Sequence, residues 1–145
     1  LLRSLCYNPS MKTKSKSVSQ LKKEADATFS QYIRQKYADP HTGLVSCVTC
    51  GIMKPWKEMQ AGHYESRGNN FLRYDERNVH VQCYGCNVAR KGNYPAYATF
   101  MVRTYGTDIL ETLREESKFS LKFTTAELQE IIDTYKEKLK GLTTP

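Results

Sequence analysis

Two closely spaced cysteine pairs, Cys47-Val-Thr-Cys50 and Cys83-Tyr-Gly-Cys86, restrict this chain more than any other feature. A C-x-x-C turn aims two thiolates at one cation, and tetrahedral zinc requires four such ligands. The sequence therefore predicts one structural Zn2+ held by Cys47, Cys50, Cys83 and Cys86, with Gly51 and Gly85 easing the turns. A site closed by four thiolates has no open position, so any chemistry must lie between or beside the pairs. Cys6 is left over and reads as a spare thiol. Paired spacing with an odd total fits metal binding in a reducing compartment better than a secreted disulfide framework. A redox role fits poorly, because two pairs occur without a thioredoxin-like pattern.

The segments around the pairs read as helix. Leu21, Ala25, Phe29, Tyr32 and Ile33, led by Val18, recur at the period of one helix face, so a helix is expected over 18–38. Ser17 caps its start and Asp39-Pro40 with Gly43 ends it. Between the pairs, Gln60 to Tyr64 and Val79 to Gln82 read as short strands, and a short helix is expected from Cys86 to Arg90. A helix through Tyr97, Phe100 and Met101 should stop at Gly106, and another through Ile109, Leu110 and Leu113 should start from Thr107. Phe119, Leu121 and Phe123 alternate as in an extended piece. Thr124 and Glu127 form a capping box for a last helix through Leu128, Ile131, Ile132, Tyr135 and Leu139, ended by Gly141. The expected organisation is a flexible basic arm at 1–17, a helix and turn at 18–43, a zinc-bound core at 44–94 and a helical region at 95–145. The fold class is α+β and helix-rich. With 39% hydrophobic residues and ten Tyr, a chain of 145 residues has a modest core that a metal would reinforce.

The formal charge of +7 favours a polyanionic partner. Lys12, Lys14 and Lys16 make the arm basic. No stretch approaches a membrane span, and the opening LLRSLCYNPSMK is too short in apolar residues for a secretory signal, so a cytoplasmic protein is expected.

His63, then Asn78, then Asn87 directly after the fourth cysteine, resembles the HNH or ββα-metal nuclease pattern. AGHY, LRYDERNVHVQC, C-x-x-C-N and KGN resemble more closely the NinG (Rap) recombination endonucleases of lambdoid phages, over roughly residues 18–141. The knuckle arrangement is also similar to that of endonuclease VII-type junction resolvases. The resemblance implies a zinc-stapled ββα-metal core flanked by helices. It implies a phage-encoded enzyme of the bacterial cytoplasm that cuts branched recombination intermediates such as Holliday junctions and D-loops. Carried over by position, His63 is the general base, Asn78 ties the loop to the hairpin, and Asn87 binds a catalytic Mg2+ or Mn2+.

That chemistry suits the residue types. Water attacks a phosphodiester after losing a proton, and His titrates near neutral pH. A divalent cation stabilises charge on the phosphoryl and leaving oxygens. Arg67, Arg73, Arg90 and Lys91 would grip phosphates. One departure stands out: many relatives of the HNH pattern carry Asp or His before the base, where this chain has Gly62. Glu65, which shares strand parity with His63, or else Asp75 or Glu76, would then supply a carboxylate. His80 reads as structural, hydrogen-bonded near the zinc; His41 as an exposed loop residue; Trp56 as packing over the knuckle in preference to stacking on a base. Symmetric cutting of a four-way junction calls for a homodimer, with helices 18–38 and 125–140 as obvious surfaces. The alternatives are a non-catalytic zinc-stabilised DNA-binding module and an HNH nuclease without junction preference.

Overall fold

The computed structural model describes residues 14–143; Cys6, Lys12 and most of the basic arm lie outside them. Helix α1 spans Val18–Gln35. Ser17 accepts a hydrogen bond from the Gln20 backbone, and the Gln20 side chain accepts one from the Ser17 backbone, closing a capping box. Such a cap contributes about 1 kcal/mol. The helix stops three residues short of the expected end. Asp39 Oδ1 accepts from the backbones of His41 and Thr42, at 2.9 and 2.8 Å, and fixes a turn that competes with a further helical turn. Val18 is exposed and not part of the buried face, which consists of Leu21, Ala25, Phe29 and Ile33.

Strand β1 (Leu44–Ser46) pairs antiparallel with β2 (Met53–Pro55) across the first cysteine pair, and β2 is a strand the sequence did not signal. Strand β3 (Gln60–His63) pairs antiparallel with β4 (Val79–Gln82) in the register Gln60 to Gln82, Gly62 to His80 and His63 to Val79. The expected short helix is a π-helical turn at Gly85–Ala89. Then follow α2 (Tyr94–Tyr105), α3 (Ile109–Glu116) and α4 (Thr125–Thr143).

Gly106 ends α2 with a φ of 98°, a conformation that favours glycine. Asp108, not Thr107, is the N-cap of α3, and it makes no side-chain cap bond. The 119–123 segment forms no strand. Thr124 and Glu127 exchange both capping-box hydrogen bonds, at 2.8 and 3.2 Å. Helix α4 runs on through Gly141, because a single helical glycine costs only about 1 kcal/mol.

Leu21 and Ala25 of α1 pack on Leu128 and Ile132 of α4, while Phe29 and Ile33 pack on Val79 and Tyr135. The apolar faces of α1 and α4 therefore cover each other and the hairpin, which leaves the outer faces of the two helices for any contact with a second copy. Phe29→Ala would cost about 3–5 kcal/mol here. A second core joins Leu72 to Tyr97, Met101, Ile109 and Leu113. Among the described residues no helix is long and apolar enough to cross a membrane.

Candidate functional site and metal centre

The four cysteine sulfurs lie within 4.8 Å of one another, with Cys50 and Cys83 sulfurs 3.7 Å apart. Thiolates bound at about 2.3 Å to a tetrahedral zinc sit roughly 3.8 Å apart, so this cluster could hold one structural zinc. Burial works to raise the Cys47 thiol, but hydrogen bonds from Thr49 and the neighbouring cysteines outweigh it and bring it down to about 6. Burial pushes Cys50 up to about 12, with its three sulfur neighbours adding to the rise. Without a cation, four thiols this close cannot all ionise; a divalent metal removes that conflict. Thr49 Oγ1 lies 3.2 Å from Cys47 Sγ, and the backbone N–H of Cys86 points at Cys83 Sγ at 3.4 Å. Trp56 packs against this cysteine-bearing core, with the Arg34 guanidinium over its ring.

The β3–β4 hairpin joins this cluster to His63. Alternation along β3 turns Ala61 and His63 towards α1, and Gln60 and Gly62 the other way. His63 is half-buried beside a cavity of about 70 Å³ lined by Asp26, Phe29, Ser30, Ala61, Arg67 and Arg73. Its Nε2 lies 3.0 Å from the Arg73 carbonyl. A carbonyl has no proton to give, so Nε2 carries the hydrogen and Nδ1 keeps a lone pair. Burial holds the imidazole below its ordinary value; the Arg73 carbonyl opposes that, and the Arg67 and Arg73 charges reinforce it. His63 is therefore a neutral base at neutral pH.

The loop that supplies this carbonyl is pinned twice. Asn78 is fully buried; its Oδ1 accepts from the Glu65 backbone at 2.7 Å and its Nδ2 donates to the carbonyls of Glu65 and Leu72. Asn78 thus closes the 65–78 loop onto the hairpin. The second pin is Asp26 on α1, which no sequence signal singled out. It accepts two hydrogen bonds from the Arg73 guanidinium, at 2.8 and 2.5 Å, and one from Tyr74 Oη at 2.9 Å. Burial pushes the Asp26 carboxyl up, but the Arg73 and Tyr74 hydrogen bonds bring it below its usual value. Arg73 is thereby committed to Asp26 and is not the free phosphate contact expected. Arg67, Arg90 and Lys91 are exposed.

The expected carboxylates fare unevenly. Strand β3 ends at His63, so strand parity does not extend to Glu65, whose backbone is held by Asn78. Asp75 pairs with Arg77, and Glu76 pairs with Lys36 and Lys138. Both are occupied in ion pairs.

His80 is structural, and its hydrogen-bond partners are tyrosines. Tyr97 Oη donates to the Gly62 carbonyl at 2.6 Å and so must accept from His80 Nδ1 at 3.1 Å, leaving Nε2 to accept from Tyr105 Oη at 2.8 Å. Burial lowers its pKa to about 4. This relay fixes the peptide immediately before His63. His41 is exposed in its turn.

On the Gly62 side, Asn87 Nδ2 donates to Gln60 Oε1 at 2.7 Å. Asn87 and His63 share β3 as support, and among the described residues no hydrogen bond joins them. Gln82, fully buried and opposite Gln60, donates through Nε2 to the Gly92 carbonyl at 2.9 Å and to Thr49 Oγ1 at 3.2 Å. Its amide crosses Gly62 so closely that a Cβ there would fall 1.9 Å from Gln82 Oε1. The KGN turn is left-handed throughout, with φ of 50°, 98° and 48° at Lys91, Gly92 and Asn93. Two non-glycine residues in that region store strain of order 1–3 kcal/mol each, of the kind that gathers at binding sites.

The family described as Bacteriophage Lambda NinG protein matches residues 8–144. Protein ninG of Salmonella phage P22 is 31% identical over 121 residues, covering 83% of this chain and 56% of that protein. Protein ninG of Escherichia phage 933W is 30% identical over 83% of this chain and 57% of its own, and that of Escherichia phage lambda 29% identical over 83% and 56%. The chain thus spans about half the length of the curated relatives it matches. No solved structure matches it.

Proposed function

The chain belongs to the phage NinG family, and from that premise we propose that it is a metal-dependent, structure-specific DNA endonuclease cutting branched recombination intermediates, Holliday junctions and D-loops, in a bacterial host's cytoplasm. The observation that carries the reading is His63, a neutral, half-buried imidazole held through Nε2 by the Arg73 carbonyl with Nδ1 left as a base. In this reading Nδ1 takes the proton of a water attacking the scissile phosphorus, and the bond to the 3′ oxygen breaks. Asn87 would hold a Mg2+ or Mn2+, which would supply charge stabilisation for the phosphoryl and leaving oxygens. Asn78 and Asp26 position His63 through the loop that carries Arg73. Arg67, Arg90 and Lys91 bind flanking phosphates. The four cysteines hold a structural Zn2+ that fixes the hairpin relative to the knuckle. Two-fold cutting of a four-way junction calls for a homodimer, formed through a surface other than the mutually packed faces of α1 and α4.

A zinc-stabilised DNA-binding module without activity is the second reading, favoured by Gly62, which offers no side chain to a catalytic cation. An HNH nuclease without junction preference is the third. Incubation with a labelled four-way junction and a matched linear duplex, with and without Mg2+ or Mn2+, separates them. Metal-dependent nicking of the junction alone supports the proposal. Equal nicking of both substrates indicates a general nuclease, and binding with no nicking indicates the module.

A further inference from the structure

Gly62 removes the side chain that would meet a catalytic cation, yet the space is not vacant. Gln82 reaches into it from the partner strand. Both hydrogens of the Gln82 amide are used, on the Gly92 carbonyl and Thr49 Oγ1, and this fixes which end of the amide faces Gly62. The end that faces Gly62 is Oε1, a buried acceptor with no hydrogen-bond partner. Buried acceptors are almost always satisfied, so an orphan in the heart of a site signals a missing partner. Gln82 stands directly opposite Gln60, and residues so placed have Cβ atoms about 4.5–5.5 Å apart. Gln60 in turn holds Asn87 by its Nδ2, which leaves Asn87 Oδ1 without a hydrogen bond among the described residues. A buried orphan, Gln82 Oε1, and the amide oxygen of half-buried Asn87 therefore neighbour the same glutamine, on the side of the hairpin where Gly62 has no side chain.

We propose that Gln82 supplies the ligand that Gly62 lacks, so that Gln82 Oε1 and Asn87 Oδ1 together hold a hard divalent cation. Amide oxygens are accepted ligands for calcium-type hard ions, and magnesium keeps several waters and draws on substrate phosphate, so two neutral protein ligands leave coordination positions for both. The arrangement is a cross-strand replacement: the ligand moves from β3 to β4, and glycine at 62 is what lets the longer side chain cross. Thr49 and Gly92 act as the struts that aim it. The cation's place in catalysis rests on the nuclease reading above, but its binding does not.

The test uses the zinc-loaded wild-type protein without DNA. Mn2+ is titrated into 15N-labelled protein, and paramagnetic broadening of side-chain amides is followed. Broadening of the Gln82 and Asn87 side-chain NH2 signals ahead of that of Asn70, the other buried amide with an unpartnered oxygen, is the expected result. Broadening centred on Glu65 or Asp75 instead, or no Mn2+ binding, overturns the proposal. Gln82→Met should weaken Mn2+ binding at least tenfold with zinc content unchanged, and Gly62→Asp combined with Gln82→Ala should restore it by returning the ligand to β3. Wild-type affinity in folded Gln82→Met overturns the proposal as well. Mn2+ bound at Gln82 with no nicking of any branched DNA would count against the nuclease reading alone; nicking with Gln82 and Asn87 unbroadened would count against this inference alone.

Discussion

The cysteine cluster and the surroundings of His63 sit at opposite ends of one hairpin and are held by different forces. At the cluster, four sulfurs from two distant turns converge within 4.8 Å, and a single cation would fix them all. At His63, geometry comes from a set of modest polar contacts drawn from α1, the 65–78 loop and α2: Asp26 on Arg73, Asn78 on the loop ends, and Tyr97 on the Gly62 carbonyl. The first arrangement concentrates stability in one bond set. The second spreads precision over many. Damage to the cluster should therefore cost the fold, and damage near His63 should cost activity first.

The largest effect is expected at the cluster. Cys83→Ser should release zinc and unfold the core, because structural zinc contributes apparent folding energies of about 10–16 kcal/mol in small metal domains, as much as a whole domain's net stability. Circular dichroism with metal analysis checks this; a folded, zinc-free Cys83→Ser protein would erase the contrast. His63→Ala should lower junction cleavage by roughly 10²–10⁴-fold while melting temperature and zinc content stay near wild type.

Acid should act through the buried histidines. His80 is held near 4 in the fold against an ordinary 6.5, so the unfolded chain takes up its proton first. Its contribution is fully present above pH 6.5 and is lost as pH falls towards 4, a change of roughly 3 kcal/mol. His63, also lowered, acts in the same direction. Denaturant unfolding at a series of pH values should show this decline, and His80→Gln should flatten it; an unchanged slope would mean that the Tyr97–His80–Tyr105 relay does not keep the ring neutral.

Asp26→Asn should be the mildest. The ion pair with Arg73 is partly exposed, at 23% and 11% for the two side chains, so its loss should cost about 1–3 kcal/mol. The Asp26 carboxyl is depressed in the fold, so this contribution is present above pH 3.8 and lost as pH falls through the folded value. Cleavage should drop roughly ten- to hundredfold through misplacement of the Arg73 carbonyl. Loss of stability with full activity would make Asp26 a structural residue only.

These two regions were also unequally legible in the sequence. The cysteine spacing is local and chemical, so it pointed to a metal cluster directly. The helices followed from periodicity and from the Ser17 and Thr124 caps, whose hydrogen bonds involve neighbours three residues away. What escaped was tertiary. Asp26 reads as an ordinary solvent-facing helix residue until α1 docks on β3. Gln82 gives no sign of crossing Gly62, because that depends on the hairpin register, and a one-residue slip would turn it to the other face. Strand β2 carries an exposed Met53 and ends in Pro55, so burial alternation could not mark it. The committed Arg73 illustrates the limit of charge counting: only its Asp26 partner distinguishes it from Arg67.

The most direct measurement is the single-turnover rate of four-way junction cleavage by wild type and His63→Ala, at matched zinc content in Mg2+ or Mn2+. A general base at His63 predicts metal-dependent cleavage whose rate rises with pH to a plateau beginning below 6.5, and its collapse in His63→Ala. Equal rates and an unchanged pH profile in the two proteins would contradict it.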